Sequence, residues 1–154
     1  MNSEIIKFKL DLIPYYWDKA PGATILVDNE IKFNGLITES ITVSFSHSLN
    51  FGSHQLIIKR FNKTNQQVRF VDGVIESQLL SIKKIIIDDI NIRNLIWNNS
   101  YNEPDYPEPW ATQQRNDGVI LEKFVKGETH LGHNSIWRLD FISPFYQFIF
   151  DSLS

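Results

Sequence analysis

The chain has 154 residues, 15 basic against 18 acidic side chains, a formal net charge of −3 and no cysteine. One domain over residues 1–154 can bury enough surface to stand without cross-links, and the lack of cysteine excludes disulfides, thiolate metal sites and cysteine nucleophiles. A mildly acidic chain with no run of Lys and Arg is a poor binder of nucleic acid, because neutralising phosphates needs clustered positive charge.

The opening MNSEIIKFKLDLIP lacks the basic-then-apolar pattern of a signal peptide, and no apolar stretch approaches a membrane span. The expectation is a protein made in the cytoplasm without a membrane span. Ile6, Phe8, Leu10 and Leu12 alternate with Lys7, Lys9 and Asp11, which predicts a strand with one buried face. Ala23–Val27 and Glu30–Phe33 are two further strands. Asp28-Asn29 joins them, and both residue types tolerate the positive φ of a tight hairpin turn. Ile41, Val43 and Phe45 alternate with Thr42, Ser44 and Ser46, Gly52 breaks the chain, and Gln55–Phe61 forms the next strand. Val68–Val71 is short and closes on Asp72-Gly73. Leu79–Ile92 is the most apolar region. Its Ile85-Ile86-Ile87 run reads as a central strand covered on both faces, which Leu95–Trp97 continues after a turn.

Asn98–Asp117, with Pro104, Pro107 and Pro109, reads as a long loop of the kind that often carries function. Val119–Val125 and Ile136–Ile142 are the last strands, the second with Trp137, Leu139 and Phe141 on one face. The period then changes. Ser143 can cap a helix, Pro144 suits its first position, and Phe145, Phe148, Ile149 and Leu153 share one face. Many short strands between turn signals predict an all-β, antiparallel, jelly-roll-like β-sandwich with a short C-terminal helix.

No phosphate-cradling glycine loop, nucleophile elbow or His-Glu-x-x-His pattern appears, so a non-catalytic binding protein is expected. The acids Asp72, Glu76, Asp88, Asp89, Glu103, Asp105 and Glu108 show no spacing that brings two of them to glycosidase separation. His130 and His133 flank Gly132. On a loop that spacing does not align two imidazoles, so they read as loop residues rather than a metal pair. His47 and His54 read as rim residues. Asp88-Asp89 reads either as a turn-closing pair or as part of an oxygen-rich calcium site. Tyr15, Tyr16 and Trp17 follow a strand, and Trp110 lies in the proline-rich segment. Each ring either caps the core or offers a flat platform to a sugar or another protein. Trp97 and Trp137 sit on strand patterns and are expected in the core. Asn62-Lys63-Thr64 and Asn98-Asn99-Ser100 match the glycosylation sequon.

The segment SFSHSLNFGSHQLIIKRFNKT carries a Gly52-x-His54-x-Leu56 step into a strand, and QLLSIKKIIIDDINI follows Asp72-Gly73. Together they resemble the calcium-dependent xylan-binding type of carbohydrate-binding module. EPDYPEPWATQQ and THLGHNSIWRLDFISPFYQFIF are similar to small proteins of large T4-like tailed phages. The resemblance implies a jelly-roll sandwich that recognises a glycan through bound calcium. Asp72 and Glu76 of the acidic loop, with Asp88 and Asp89, are the implied ion ligands, and Tyr15, Tyr16, Trp17 and Trp110 the implied sugar-binding rings. It further implies display on a virion. The alternative is a structural virion protein, in a decoration, tail or fibre, that docks phage structural proteins through the sandwich and its C-terminal helix.

Overall fold

Alternation along Ser3–Tyr15 becomes strand β1, with Ile6, Phe8, Leu10 and Leu12 buried and Lys7 and Lys9 exposed. The structure, a computed structural model, describes residues 2–64 and 68–152. In one sheet β1 lies between β4 (Ile41–Asn50) and β8 (Leu79–Ile87). Beyond β8 come β12 (His130–Leu131) and β9 (Ile90–Asn91). The second sheet runs β11 (Val125–Lys126), β10 (Ser100–Pro104), β13 (Ser135–Ser143), β5 (Gly52–Phe61), β2 (Gly22–Val27) and β3 (Glu30–Leu36). Neighbours in both sheets are antiparallel. A separate ribbon pairs β6 (Val68–Val71) with β7 (Val74–Ser77). The chain crosses repeatedly between the two sheets, and their inward faces share one core. There Phe8 stacks on Phe45 at 5.0 Å and meets Phe141 edge-on at 6.1 Å.

The turn chemistry follows the sequence. Asp28 and Asn29 take φ of 49° and 73° between β2 and β3, as the hairpin requires. Asp72 and Gly73, at φ of 50° and 79°, close β6 onto β7. Gly52, at φ of 135°, opens β5 where the chain leaves one sheet for the other.

Several expected elements differ. Leu79–Ile92 is not one strand, because Asp88 and Asp89, at φ of 48° and 67°, turn β8 back into β9. Ile85 and Ile87 of β8 are buried, and Ile86 is half-buried. Leu95–Trp97 does not continue the sheet but belongs to helix α1 (Arg93–Asn99). Successive helical residues turn by about 100°, so three apolar residues in a row cannot all face inward. Leu95 and Ile96 take the buried side, which leaves Trp97 70% exposed instead of in the core. The expected loop Asn98–Asp117 contains β10 and helix α2 (Trp110–Asn116). Pairing of Ser100–Pro104 against β13 overrides the weak strand propensity of SYNEP. Glu108 opens α2 by accepting from the Thr112 amide at 3.1 Å. Val119–Val125 is not a strand: only Val125 and Lys126 pair, and Ile120 is 82% exposed.

Ser143 stays in β13, and helix α3 covers Phe145–Ser152. The first intrahelical bond runs from the Phe148 amide to the Pro144 carbonyl, so Pro144 rather than Ser143 stands at the cap position. Phe145 is buried, with Phe148 and Ile149 packed on the core. Leu153, expected on the same face, lies outside the described residues.

Candidate functional site

The strand registers bring one group of loops together. Tyr15 ends β1 opposite Leu79, where β8 begins. Gly22 begins β2 opposite Phe61, where β5 ends, and Arg60 faces Ser135 at the start of β13. Pro104 ends β10 opposite the same Ser135, and Leu131 ends β12 opposite Leu80. The segments after Tyr15, Phe61, Pro104 and Leu131 therefore emerge at one end of the sandwich.

Asn134 ties this end together. Its Oδ1 accepts from Arg60 Nη1 at 3.0 Å and from the Lys63 amide at 2.9 Å, and its Nδ2 donates to the Lys63 carbonyl at 3.0 Å. The Asn134 carbonyl accepts from the Asp105 amide at 2.7 Å, which fixes the start of the proline-rich segment. Buried Gln78 donates to the carbonyls of Lys19 and Asn62 at 2.7 and 3.0 Å, and its own carbonyl accepts from Arg60 Nη2 at 2.9 Å. Asn62, at φ of 76°, spends its amide on the Ala20 carbonyl.

Over this polar frame lies a cleft of about 330 Å³, lined by Lys63, Thr64, Ser77, Asp105, Trp110 and His133 among others. One side is aromatic. The His133 ring lies 5.2 Å from Trp110 and 5.3 Å from Tyr106, and Tyr106 and Trp110 are 6.3 Å apart. Tyr106 is anchored by donating to the Glu122 carbonyl at 2.6 Å. His133 Nδ1 is buried with no hydrogen-bond partner. Burial, then the charges of Lys63 and Arg60, hold the His133 pKa below the ordinary histidine value, against an opposing pull from Asp105. Lys63 Nζ donates to the Gly132 carbonyl, and burial with help from Arg60 brings its pKa down to about 8. A largely apolar, aromatic-walled cleft with a few fixed polar groups is the usual form of a small-ligand site.

Of the rings singled out in the sequence, Trp110 lines this cleft, on the first turn of α2. Tyr15, Tyr16 and Trp17 sit at the same end but outside the cleft lining, 52%, 38% and 37% exposed, with the Tyr16 hydroxyl donating to the Thr38 carbonyl at 2.8 Å. The four acids expected to hold calcium are not brought together. Asp72 and Glu76 belong to the β6–β7 ribbon, just before β8, whereas Asp88 and Asp89 follow its far end. The nine-residue length of β8 puts roughly 26 Å between those ends, while calcium ligands lie about 2.3–2.6 Å from the ion. Asp88 Oδ1 accepts from the Lys7 amide at 2.9 Å, the role of a turn-closing acid. Among the described residues no three His, Asp or Glu side chains could hold a metal ion together. These acids do not fit a shared calcium site.

The histidines serve different ends. His133 joins the cleft, whereas His130 bonds Ser81 Oγ at 2.8 Å. His54 pairs with Asp28 at the opposite end, beside a second depression of about 410 Å³. There Asp28 Oδ1 accepts from the Gln55 amide at 2.9 Å and its Oδ2 meets the His54 ring, contacts that hold the β2–β3 turn. His133, Lys63 and Asn134 were not singled out as ligand-binding in the sequence. Their common signal, adjacency across β5 and β13, is tertiary.

No protein-family model matches the chain, and no curated protein matches it. Two solved structures are similar to it. One is vCBM60 in complex with galactobiose, 7% identical, with 86% of this chain and 96% of that one covered and a TM-score of 0.47. The other is a further form of vCBM60, described as linking two families of calcium-dependent carbohydrate-binding modules by circular permutation. It is 9% identical, with 87% and 89% covered and a TM-score of 0.49.

Proposed function

We propose that this protein is a non-catalytic carbohydrate-binding module whose sugar site is the Trp110–His133 cleft. The observation that carries the reading is the aromatic wall: Trp110 and His133, with ring centroids 5.2 Å apart and Tyr106 packed against both, share the lining of a space of about 330 Å³ with Lys63, Asp105 and Thr64. A sugar has an apolar face that packs on aromatic rings and a rim of hydroxyls that needs fixed donors and acceptors. The Lys63 ammonium, the Asp105 carboxylate and the Thr64 hydroxyl belong to residues that line the same space and can supply such bonds. The resemblance of the sequence to carbohydrate-binding modules supports the same reading, without the calcium ligation it implies.

Native gels cast with a panel of soluble polysaccharides test it. The protein is expected to be retarded by at least one, and Trp110→Ala is expected to lose the retardation while keeping its unfolding midpoint. A folded Trp110→Ala variant that binds as well as the wild type places the sugar elsewhere and removes the cleft from the reading.

Docking to another protein is a second reading, favoured by Tyr146 and Phe150 of α3, which are 58% and 71% exposed. The partners that the sequence resemblance implies are phage structural proteins, so chemical cross-linking within a phage particle that incorporates the chain, as wild type and as Phe150→Ser, separates the two. A docking helix loses its cross-link on substitution while polysaccharide retardation stays.

A further inference from the structure

The cleft has an imbalance of charge that a neutral sugar does not use. Arg60, 1% exposed, reaches the Asn134 side chain and the Gln78 carbonyl, and its Nε has no partner. Lys63 spends one of its three ammonium donors on the Gly132 carbonyl. Neither cation meets a carboxylate within ion-pair distance among the described residues. In the depression adjoining the cleft, Glu103 is engaged by Arg138 at 3.2 Å, leaving Asp105 as the acid shared by both spaces, with Lys59 exposed at the outer edge. Two desolvated cations beside one acid make a local positive site on a chain of net charge −3. A buried charge without a counter-charge is costly, and a ligand anion would offset that cost.

We propose that the cleft takes an acidic sugar, with the ligand's carboxylate or sulfate held by Lys63 over the buried Arg60 and its ring packed on Trp110. This rests on the carbohydrate reading and gives it a ligand class. The free donors of Lys63 carry the direct contact. Arg60 adds field rather than contact, since its guanidinium is committed beneath Asn134. The general repulsion between a net-negative protein and a polyanion works against non-specific binding, so retardation by a polyanion reports a local site.

The test is affinity electrophoresis with three probes: polygalacturonate, a sulfated galactan and a neutral galactan, each at low and high sodium chloride. At least one acidic probe is expected to bind more tightly than the neutral one and to weaken with salt. Lys63→Gln is expected to weaken that binding about tenfold or more, as loss of a charge-assisted hydrogen bond implies, while Lys63→Arg retains it. A response to polygalacturonate alone assigns a carboxylate, and to the sulfated galactan alone a sulfate. Tightest binding to the neutral galactan, insensitive to salt and to Lys63→Gln, overturns the anion and keeps the sugar site. Acidic binding that survives Lys63→Gln also overturns the proposal, because the anion is then held elsewhere. No retardation by any of the three probes overturns the acidic-sugar proposal, while the carbohydrate reading stands or falls with the wider polysaccharide panel.

Discussion

Glu4, near the start of the first strand, caps the helix that closes the fold: its Oε1 accepts from the Phe145 amide at 2.8 Å. The same oxygen accepts from the Ser143 hydroxyl at 2.8 Å. A carboxylate at a helix start satisfies an amide that has no intrahelical acceptor and sits favourably against the helix dipole. Replacing such a cap commonly costs about 1 kcal/mol. Glu4→Ala is therefore expected to lower the urea midpoint without changing the slope, and Glu4→Gln, which keeps an acceptor, to cost less. Equal stability of Glu4→Ala and wild type would mean that α3 holds its place by Phe145 packing alone.

Phe8 lies at the centre of the aromatic contacts in the core. It is fully buried, stacks on Phe45 at 5.0 Å and touches Phe141 of the opposite sheet. Truncation leaves a cavity that two sheets held in register cannot close, so Phe8→Ala is expected to cost roughly 3–5 kcal/mol. Ile5, its outward neighbour, is 72% exposed, and Ile5→Ala is expected to fall within about 0.5 kcal/mol of wild type. Chemical denaturation of the pair measures the difference between the two faces of one strand.

The contrast between Ile5 and Phe8 also marks how far the sequence can be read. Period two along β1, β4 and β13 is a local property and shows which residues point inward, and Asp28-Asn29 declares its turn by residue type. Leu95-Ile96-Trp97 is too short to have a period, so helix and strand look alike until packing chooses. Ser100–Pro104 is a strand only because β13 lies beside it. The cleft is less legible still. Trp110 shows as an aromatic in a proline-rich segment, but nothing local says that His133 will lie 5.2 Å away, or that Asn134 will bond Arg60 and Lys63 from 74 and 71 residues along the chain. The acids Asp72, Glu76, Asp88 and Asp89 mislead for the converse reason. They are near in sequence, and an extended strand carries them apart.

Lys63 gives the alkaline limb of stability a direction. Its pKa falls from 10.5 to about 8, first through burial and then through Arg60. Between those values the unfolded chain binds the proton more fully than the folded one, so unfolding free energy rises with pH across that window. The groups facing it are Arg60, His133 and Asp105. Urea unfolding from pH 7.5 to 10 is expected to show a steeper rise for wild type than for Lys63→Gln, and identical slopes would mean that the ammonium is hydrated in the folded state. Affinity for an acidic polysaccharide is expected to move the opposite way, falling as Lys63 deprotonates above about pH 8.

His133 governs the acid side. Burial is the largest cause of its lowered pKa, Lys63 and Arg60 add to it, and Asp105 opposes them. The folded state therefore holds the imidazole neutral while the unfolded chain begins to protonate near 6.5, so stability is lost as pH falls through that value. His47, lowered first by burial and then by Lys32, pulls in the same direction, so the measurement is the difference between wild type and His133→Phe rather than the whole limb. That variant keeps a ring against Trp110 and Tyr106 and removes the titrating group. It is expected to unfold less readily between pH 6.5 and 5 than wild type, while an NMR titration of the wild type places the His133 midpoint below 6.5. A midpoint at or above 6.5 would mean that Asp105 outweighs burial and the two cations, and that the cleft is less positive than its side chains imply.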